Sequence, residues 1–293
     1  MNDSIKQYVE NDKKIIFISS YPKSGNTWLR CIISALLNNQ DGKFKFDDLN
    51  KIGLFSRESH FKHFKNLQYQ ENGNLDFNFV SNHWIKAQQK INLENEEVKF
   101  FKSHSVQKIS DRFFTDETVC LGFIYIVRDP RDVAISYTHH CGGNLDVAID
   151  TMLFNEKNYS SRHKTNELIS TWEYHLFSWK KFNTVPRLFI KYEDMLEDTK
   201  KILLQIMDFI NNLVNSSISQ DSNLIDSVLS STNFNYLQSL ERNKGFKFKE
   251  ETNNVPFFRK GVSNQWKSVL SYNQLNLIEN ELATPMQHLG YLS

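Results

Sequence analysis

One short stretch constrains this chain more than any other. It runs from Lys13 to Leu37 and reads KKIIFISSYPKSGNTWLRCIISALL. Ile15–Ser20 is a compact apolar run rich in β-branched residues, which predicts a buried strand. Tyr21–Asn26 breaks that run with Pro22 and Gly25, the punctuation of a tight turn. Beyond the turn, Trp28, Cys31, Ile32, Ala35 and Leu36 recur at helical spacing, so a helix with one buried face follows. A strand–loop–helix junction aims free backbone N–H groups and a positive dipole end at an anion. Lys23, Ser24 and Thr27 add a charge and two hydroxyls there. The stretch reads as a phosphate cradle; a βα turn with an incidental lysine is the plainer alternative.

The loop is not the common NTPase signature, which needs Gly-x4-Gly-Lys-Ser/Thr; here Lys23 precedes the single Gly25. PKSGNTW instead resembles the 5′-phosphosulfate loop of sulfotransferases that use PAPS (3′-phosphoadenosine 5′-phosphosulfate), usually PKSGTTW. The resemblance implies that Lys23, Ser24, Gly25, Asn26, Thr27 and Trp28 bind this donor, with Trp28 against the adenine. Asn26 replaces the first threonine. As a good helix N-cap residue, it is expected to weaken or rearrange the anion contact.

Composition narrows the setting. The 293 residues carry a net charge of +1, which gives no global reason to bind nucleic acid or an acidic membrane, so an anion site must be local. A 40% hydrophobic content with 23 phenylalanines is ample for a core. Cys31, Cys120 and Cys141 form no C-x-x-C pair, which fits a reducing compartment better than a disulfide scaffold or zinc site. No apolar run is long enough for a membrane span, and the first residues lack a secretory h-region, so a cytoplasmic protein is expected.

Along the chain, residues 1–12 read as a polar lead-in and 38–97 as a large excursion between strands, of the kind that forms lids or substrate walls. Short helices are expected near 61–65 and 81–88. Val98–Ser103 predicts a second strand ending at Lys102-Ser103-His104. Thr118–Val127 is the clearest buried strand and runs into Arg128-Asp129-Pro130-Arg131-Asp132, with a helix opening at the proline. Ile169, Trp172, Leu176 and Trp179 predict an amphipathic helix over 166–180, with both tryptophans in the core. Arg187–Lys191 predicts a fourth strand, and helices are expected over 200–213, 224–240 and 272–289. This alternation predicts an α/β fold: one domain over 1–293 (core 13–289) with a mostly parallel sheet flanked by helices on both faces. Ligands of such sheets sit at the carboxyl ends of the strands, where all these motifs fall.

The resemblance to PAPS-dependent sulfotransferases of the cytosolic type extends over roughly residues 13–270 and implies the P-loop-like fold of that family. Lys102-Ser103-His104 is similar to its Lys-Thr-His, which makes His104 the implied general base, with Lys23 and Lys102 beside it in the catalytic centre. Arg128 and Ser136 match the pair that holds the 3′-phosphate. Tyr192, in KYEDM, matches the tyrosine near the adenine. Thr232, Phe234 and Leu237 resemble a nucleotide-lining cluster, and Arg259, Lys260 and Gly261 match the loop closing over the 3′-phosphate. Asn264-Gln265 stands where the family usually has Gly-Asp. The family's dimer motif is not matched, since Ser271, Tyr272 and Asn276 occupy its last three specified positions. His139 and His140 are read as structural.

These residue types suit the implied chemistry. The donor is anionic at both ends, and arginine can fork onto phosphate oxygens. Sulfuryl transfer resembles phosphoryl transfer in its loose, in-line transition state, where positioning and electrostatics dominate. A histidine with a pKa of about 6.5 is largely neutral at pH 7 and can take a hydroxyl proton. The expected reaction moves the sulfuryl group from PAPS to a hydroxyl or amine of a small acceptor, leaving PAP and using no metal. Pocket walls are expected from 53–90, 139–166 and 235–257. Two alternatives remain at this point: a P-loop-like kinase or NTPase, and a non-catalytic nucleotide-binding protein of the same fold.

Overall fold

The computed structural model describes residues 13–138, 142–215, 218–244 and 258–292. The lead-in 1–12, His139, His140, Cys141 and residues 245–257, the larger part of the wall expected from 235–257, lie outside the described residues. The strands are β1 (Ile15–Ser19), β2 (Gly53–Leu54), β3 (Lys99–Ser103), β4 (Lys108–Ile109), β5 (Arg112–Phe113), β6 (Cys120–Val127), β7 (Tyr159–Arg162), β8 (Thr165–Leu168) and β9 (Arg187–Lys191). The helices are α1 (Asn26–Asn38), α2 (Phe77–Asn82), α3 (Trp84–Glu94), α4 (Pro130–Tyr137), α5 (Leu145–Phe154), α6 (Trp172–Lys181) and α7 (Tyr192–Glu197). They continue with α8 (Thr199–Val214), α9 (Ser222–Thr232), α10 (Phe234–Lys244), α11 (Trp266–Val269), α12 (Tyr272–Glu281) and α13 (Ala283–His288).

Five strands form one parallel sheet in the order β2-β3-β1-β6-β9. β1 is central because both of its faces are apolar: Ile16 and Ile18 enter one core, Ile15 and Phe17 the other. That two-residue period with burial on both sides is what a parallel strand covered by helices requires. The first core holds α1, α8 and α9; the second holds α3, α4, α5, α6 and α12. Phenylalanines fill the second core through rings such as Phe17, Phe55 and Phe114, whose centroids lie 5.0–5.7 Å apart. Cys31 and Cys120 are buried and free.

Several expectations need correction. α1 is buried nearly all round, because the 3₁₀ segment Phe46–Lys51 and α9 cover its outer side; Arg30, itself buried, donates to the Leu49 and Ile52 carbonyls at 3.0 and 2.6 Å. The helix expected over 166–180 begins only at Trp172, where the Thr171 side chain accepts from Tyr174 N. Thr165–Leu168 is instead a buried strand paired antiparallel with β7. The helix expected over 224–240 is two helices, broken at Asn233, whose side chain accepts from Tyr236 N at 2.9 Å. The last helix likewise divides at Leu282, three residues before Pro285. The excursion 38–97 is more than a lid, since it supplies the edge strand β2, and Trp84 and Ile91 of α3 to the second core. Within it, the helix expected near 81–88 is the end of α2 and the start of α3, broken at His83, whereas 61–65 forms turns after a 3₁₀ segment at Glu58–His60.

Candidate active site

The turn after β1 opens with Ser20 and places Gly25 at the start of α1, with φ 99° and no side-chain cap. A Cβ at Gly25 would stand 2.5 Å from the Tyr192 ring, so a glycine is needed for conformation and for space together. Asn26 is therefore the first helical residue, not the N-cap expected of it. Its amide turns inward, donating to the Ile18 carbonyl at 3.1 Å and to Ser20 Oγ at 3.3 Å. Ser24 is fully buried, and its hydroxyl has no hydrogen-bond partner among the described residues. An orphaned buried hydroxyl at a helix N-terminus fits a cradle whose partner is a bound anion. Lys23 and Thr27 flank it, half-buried.

Arg128, at the end of β6, ties three segments together. It donates to the carbonyls of Lys23 at 3.3 Å and Val262 at 2.9 Å, pairs with Asp132 at 3.6 Å, and lies over the Tyr192 ring at 4.3 Å. Burial raises the Asp132 carboxyl, an effect that Arg128 opposes. Asp132 also accepts from Trp266 N at 3.1 Å, which anchors the loop carrying Arg259, Lys260 and Gly261 to the start of α4. Desolvation lowers Arg259, and the nearby Arg128 charge adds to that. Two guanidiniums facing one site make a local field that a net charge of +1 does not reveal. Gly261 has φ 63°, and a Cβ there would meet the Phe234 ring at 2.4 Å. Gln238 Nε2 grips the Phe258 and Arg259 carbonyls at 2.9 and 3.0 Å from α10. Lys260 is exposed, and Ser136 is half-buried on α4.

Trp28 and Tyr192 meet edge to face with centroids 5.9 Å apart, and Trp28 Nε1 donates to the Thr232 carbonyl at 2.9 Å. Leu237 is buried in the same cluster. Thr232 Oγ1 is bonded back to Val228 O, so this residue meets Trp28 through its backbone. The residues predicted from β1, β6, β9 and the 232–261 segment are thus brought together.

On the other side of β1, Lys102 and His104 follow the β3 register, with Lys102 beside Ile18. His104 is buried, and its Nδ1 lies 2.7 Å from the Ser20 carbonyl. A carbonyl only accepts, so Nδ1 carries the proton and Nε2 keeps the lone pair. The His104 backbone is held at both ends: its N–H donates to Glu167 Oε1 at 2.9 Å, and its carbonyl accepts from His175 Nε2 at 3.0 Å. His175 Nδ1 in turn takes the Tyr125 hydroxyl at 2.8 Å. Burial lowers His175 to about 3, so it stays neutral. Sequence reasoning missed Glu167 and His175: the first was taken for part of a helix, and the second had no motif to mark it.

A wide groove of about 950 Å³ runs along α6, lined by Lys108, Phe113, Phe154, Tyr174 and Phe182 among others, and it shares no residue with the predicted site. Among the described residues, no group of His, Cys, Asp and Glu has the arrangement of a metal site, and no helix is long and apolar enough to cross a membrane.

This chain is similar to characterised proteins along most of its length. It is 25% identical over 276 residues to flavonol 3-sulfotransferase of Flaveria bidentis, covering 90% of this chain and 79% of the relative. It is 25% identical to sulfotransferase 1B1 of Canis lupus familiaris, covering 93% and 83%. Among solved structures, mouse sulfotransferase SULT7A1 complexed with PAP has the same fold at 20% identity, with a TM-score of 0.60 and coverage of 97% and 88%. A retinol dehydratase in complex with retinol and PAP does so at 19% identity, with a TM-score of 0.60 and coverage of 97% and 83%. Residues 13–290 match the pattern of the sulfotransferase domain, so the chain belongs to that family and is an enzyme of sulfuryl transfer.

Proposed function

We propose that this enzyme takes the sulfuryl group from PAPS and gives it to a hydroxyl, or an amine, of a small acceptor, with His104 as general base and PAP as the second product. The observation that carries the assignment is the 2.7 Å contact of His104 Nδ1 with the Ser20 carbonyl, which leaves the basic lone pair on Nε2. Lys23, Ser24, Gly25, Thr27 and the N-terminus of α1 receive the 5′-phosphosulfate, where leaving-group charge develops. Arg128, Ser136, Arg259, Lys260 and Gly261 hold the 3′-phosphate. Trp28, Tyr192, Thr232, Phe234 and Leu237 surround the adenine. Lys102 adds positive charge beside the base. The chain works as one catalytic domain in the cytoplasm, without nucleic acid, and a dimer built through the family's dimer motif is not part of this reading, because that motif is not matched. Retinol and androsterone are acceptor-sized molecules bound by structural neighbours at under 25% identity, and small alcohols and phenols are the class to screen here.

Single-turnover kinetics test the reading. His104→Ala should lower the rate by about 10²–10⁴-fold, the span of general-base catalysis, while PAP binding holds. Near-normal single-turnover rates would remove His104 from the mechanism. Activity should also survive EDTA; loss restored specifically by Mg²⁺ would favour an NTPase-like reaction instead.

A further inference from the structure

Ser20 and Tyr21 share one peptide unit, and both of its polar ends are engaged. Its carbonyl accepts from His104 Nδ1 at 2.7 Å. Its N–H donates to the Tyr125 hydroxyl oxygen and so opposes the rise that burial gives that phenol. The Tyr125 hydroxyl lies 2.8 Å from His175 Nδ1, and His175 Nε2 lies 3.0 Å from the His104 carbonyl. A carbonyl only accepts, so His175 carries its proton on Nε2, and Tyr125 is the donor to its bare Nδ1. Burial lowers His175 to about 3, which keeps a second proton away. The donors therefore run one way: His104 Nδ1 to Ser20 O, Tyr21 N to Tyr125, Tyr125 to His175, and His175 back to the His104 carbonyl. The ring closes on the residue where it began. It joins the residues that follow β1 and β3 to β6 and α6, and Tyr125 and His175 are 1% and 0% exposed.

We propose that Tyr125 and His175 are positioning residues for the base. Together they close a one-way ring of hydrogen bonds that holds the His104 imidazole and its own peptide in place and steadies the positive charge that imidazole gains. This rests on the reading of His104 as the base. When Nε2 takes the acceptor's proton, Nδ1–H becomes a charge-assisted donor and its bond to Ser20 O strengthens. Bonds arranged head to tail polarise one another in a low dielectric, so the Tyr21 N–H, Tyr125 and His175 share in that gain. Their dipoles are fixed before the reaction and need no reorganisation during it. An apolar pair of similar size would fill the same space without either polar edge, so packing alone does not call for these two residues.

The test uses the full chain with ¹⁵N-labelled histidine and compares wild type, Tyr125→Phe, His175→Leu and the double variant. Titration of the His104 imidazole in Tyr125→Phe should give a pKa lower by about half a unit, the direction expected when support for the imidazolium is withdrawn. The single-turnover rate should fall about tenfold, the lower end of what hydrogen-bond partners of a functional histidine supply at metal sites. PAP affinity should hold within about threefold, because no charge-assisted contact to the phosphates is removed. One cut opens a ring as fully as two, so the double variant should be no slower than His175→Leu alone. His175→Gln keeps one donor and one acceptor; it should recover part of the rate lost in His175→Leu, and it serves if the leucine variant folds poorly. Glu167, Lys102 and Lys23, the charged groups assigned to this centre, are the same in every variant. An unchanged His104 pKa with a normal rate in Tyr125→Phe would overturn the proposal. Losses that add in the double variant would also overturn it, because they would mean two independent supports. A loss of PAP affinity of about tenfold or more with the His104 pKa unmoved would assign the pair to the cradle instead. The titration reads the ring whether or not His104 is the base, and His104→Ala turnover separately decides that point.

Discussion

Arg128 illustrates how one side chain can serve structure and ligand at the same time. Two of its contacts are to carbonyls of the loops that frame the cradle, and its charge is partly matched by buried Asp132 at 3.6 Å. It is thus pre-positioned, so little rotamer entropy remains to be lost on binding. If it also holds the 3′-phosphate, Arg128→Ala should weaken PAP by about 1.5–3 kcal/mol more than it weakens adenosine 5′-phosphate, the worth of a charge-assisted hydrogen bond. Calorimetric titration of both nucleotides measures the difference. Equal losses would assign the arginine to framing the loops alone. His104 is handled in a similar manner, since side-chain, backbone N–H and carbonyl contacts each come from a different segment.

The element that decides donor binding is the β1–α1 junction. Gly25→Ala would require a φ of 99° from a residue with a side chain and would drive its Cβ to 2.5 Å from Tyr192. Strain of this kind costs about 1–3 kcal/mol before the clash is added, so a lower Tm and a loss of PAP binding should appear together. A variant that kept both would mean the turn can be rebuilt. This junction was also the most legible part of the chain, because apolar period, turn residues and helix period follow one another without interruption. The four long sheet strands were legible for the same reason, and Arg187–Lys191 matches its expected range. What escaped was decided by tertiary contact. Thr165–Leu168 carries no strand pattern of its own, yet it pairs with β7 and delivers Glu167 to the His104 backbone. β2 is two residues long and is defined only by its pairing with β3. Asn26 was expected to face the anion because the motif suggested it; a short amide can instead reach the end of the preceding strand, and no periodicity records that choice.

For the molecule as a whole, His175 makes stability depend on pH. The unfolded chain protonates this residue at about 6.5, whereas the folded site resists until about 3. Between those values the unfolded state binds the extra proton, so this contribution is present above the unfolded pKa and is lost as pH falls. Half-buried Glu193 and buried Asp132 are raised by desolvation and act in the opposite sense, gaining stability on acidification. The His175 effect is therefore best read as a difference. Urea melts of wild type and His175→Gln from pH 7 to pH 4 should give a steeper acid-side decline in the wild type, and equal slopes would mean that His175 is not held neutral.

The order of the sheet has a further consequence, for the time the chain needs to fold. Its central strand pairs with neighbours distant in sequence, and the Ser20–His104 contact alone spans 84 residues. Closing such loops before any local reward is the slow kind of folding. The base, the cradle and the middle of the sheet therefore belong to the same late-forming set of contacts. During refolding, catalytic competence should return with the burial of β1 and not after it, so recovered activity can serve as a clock for closure of the sheet.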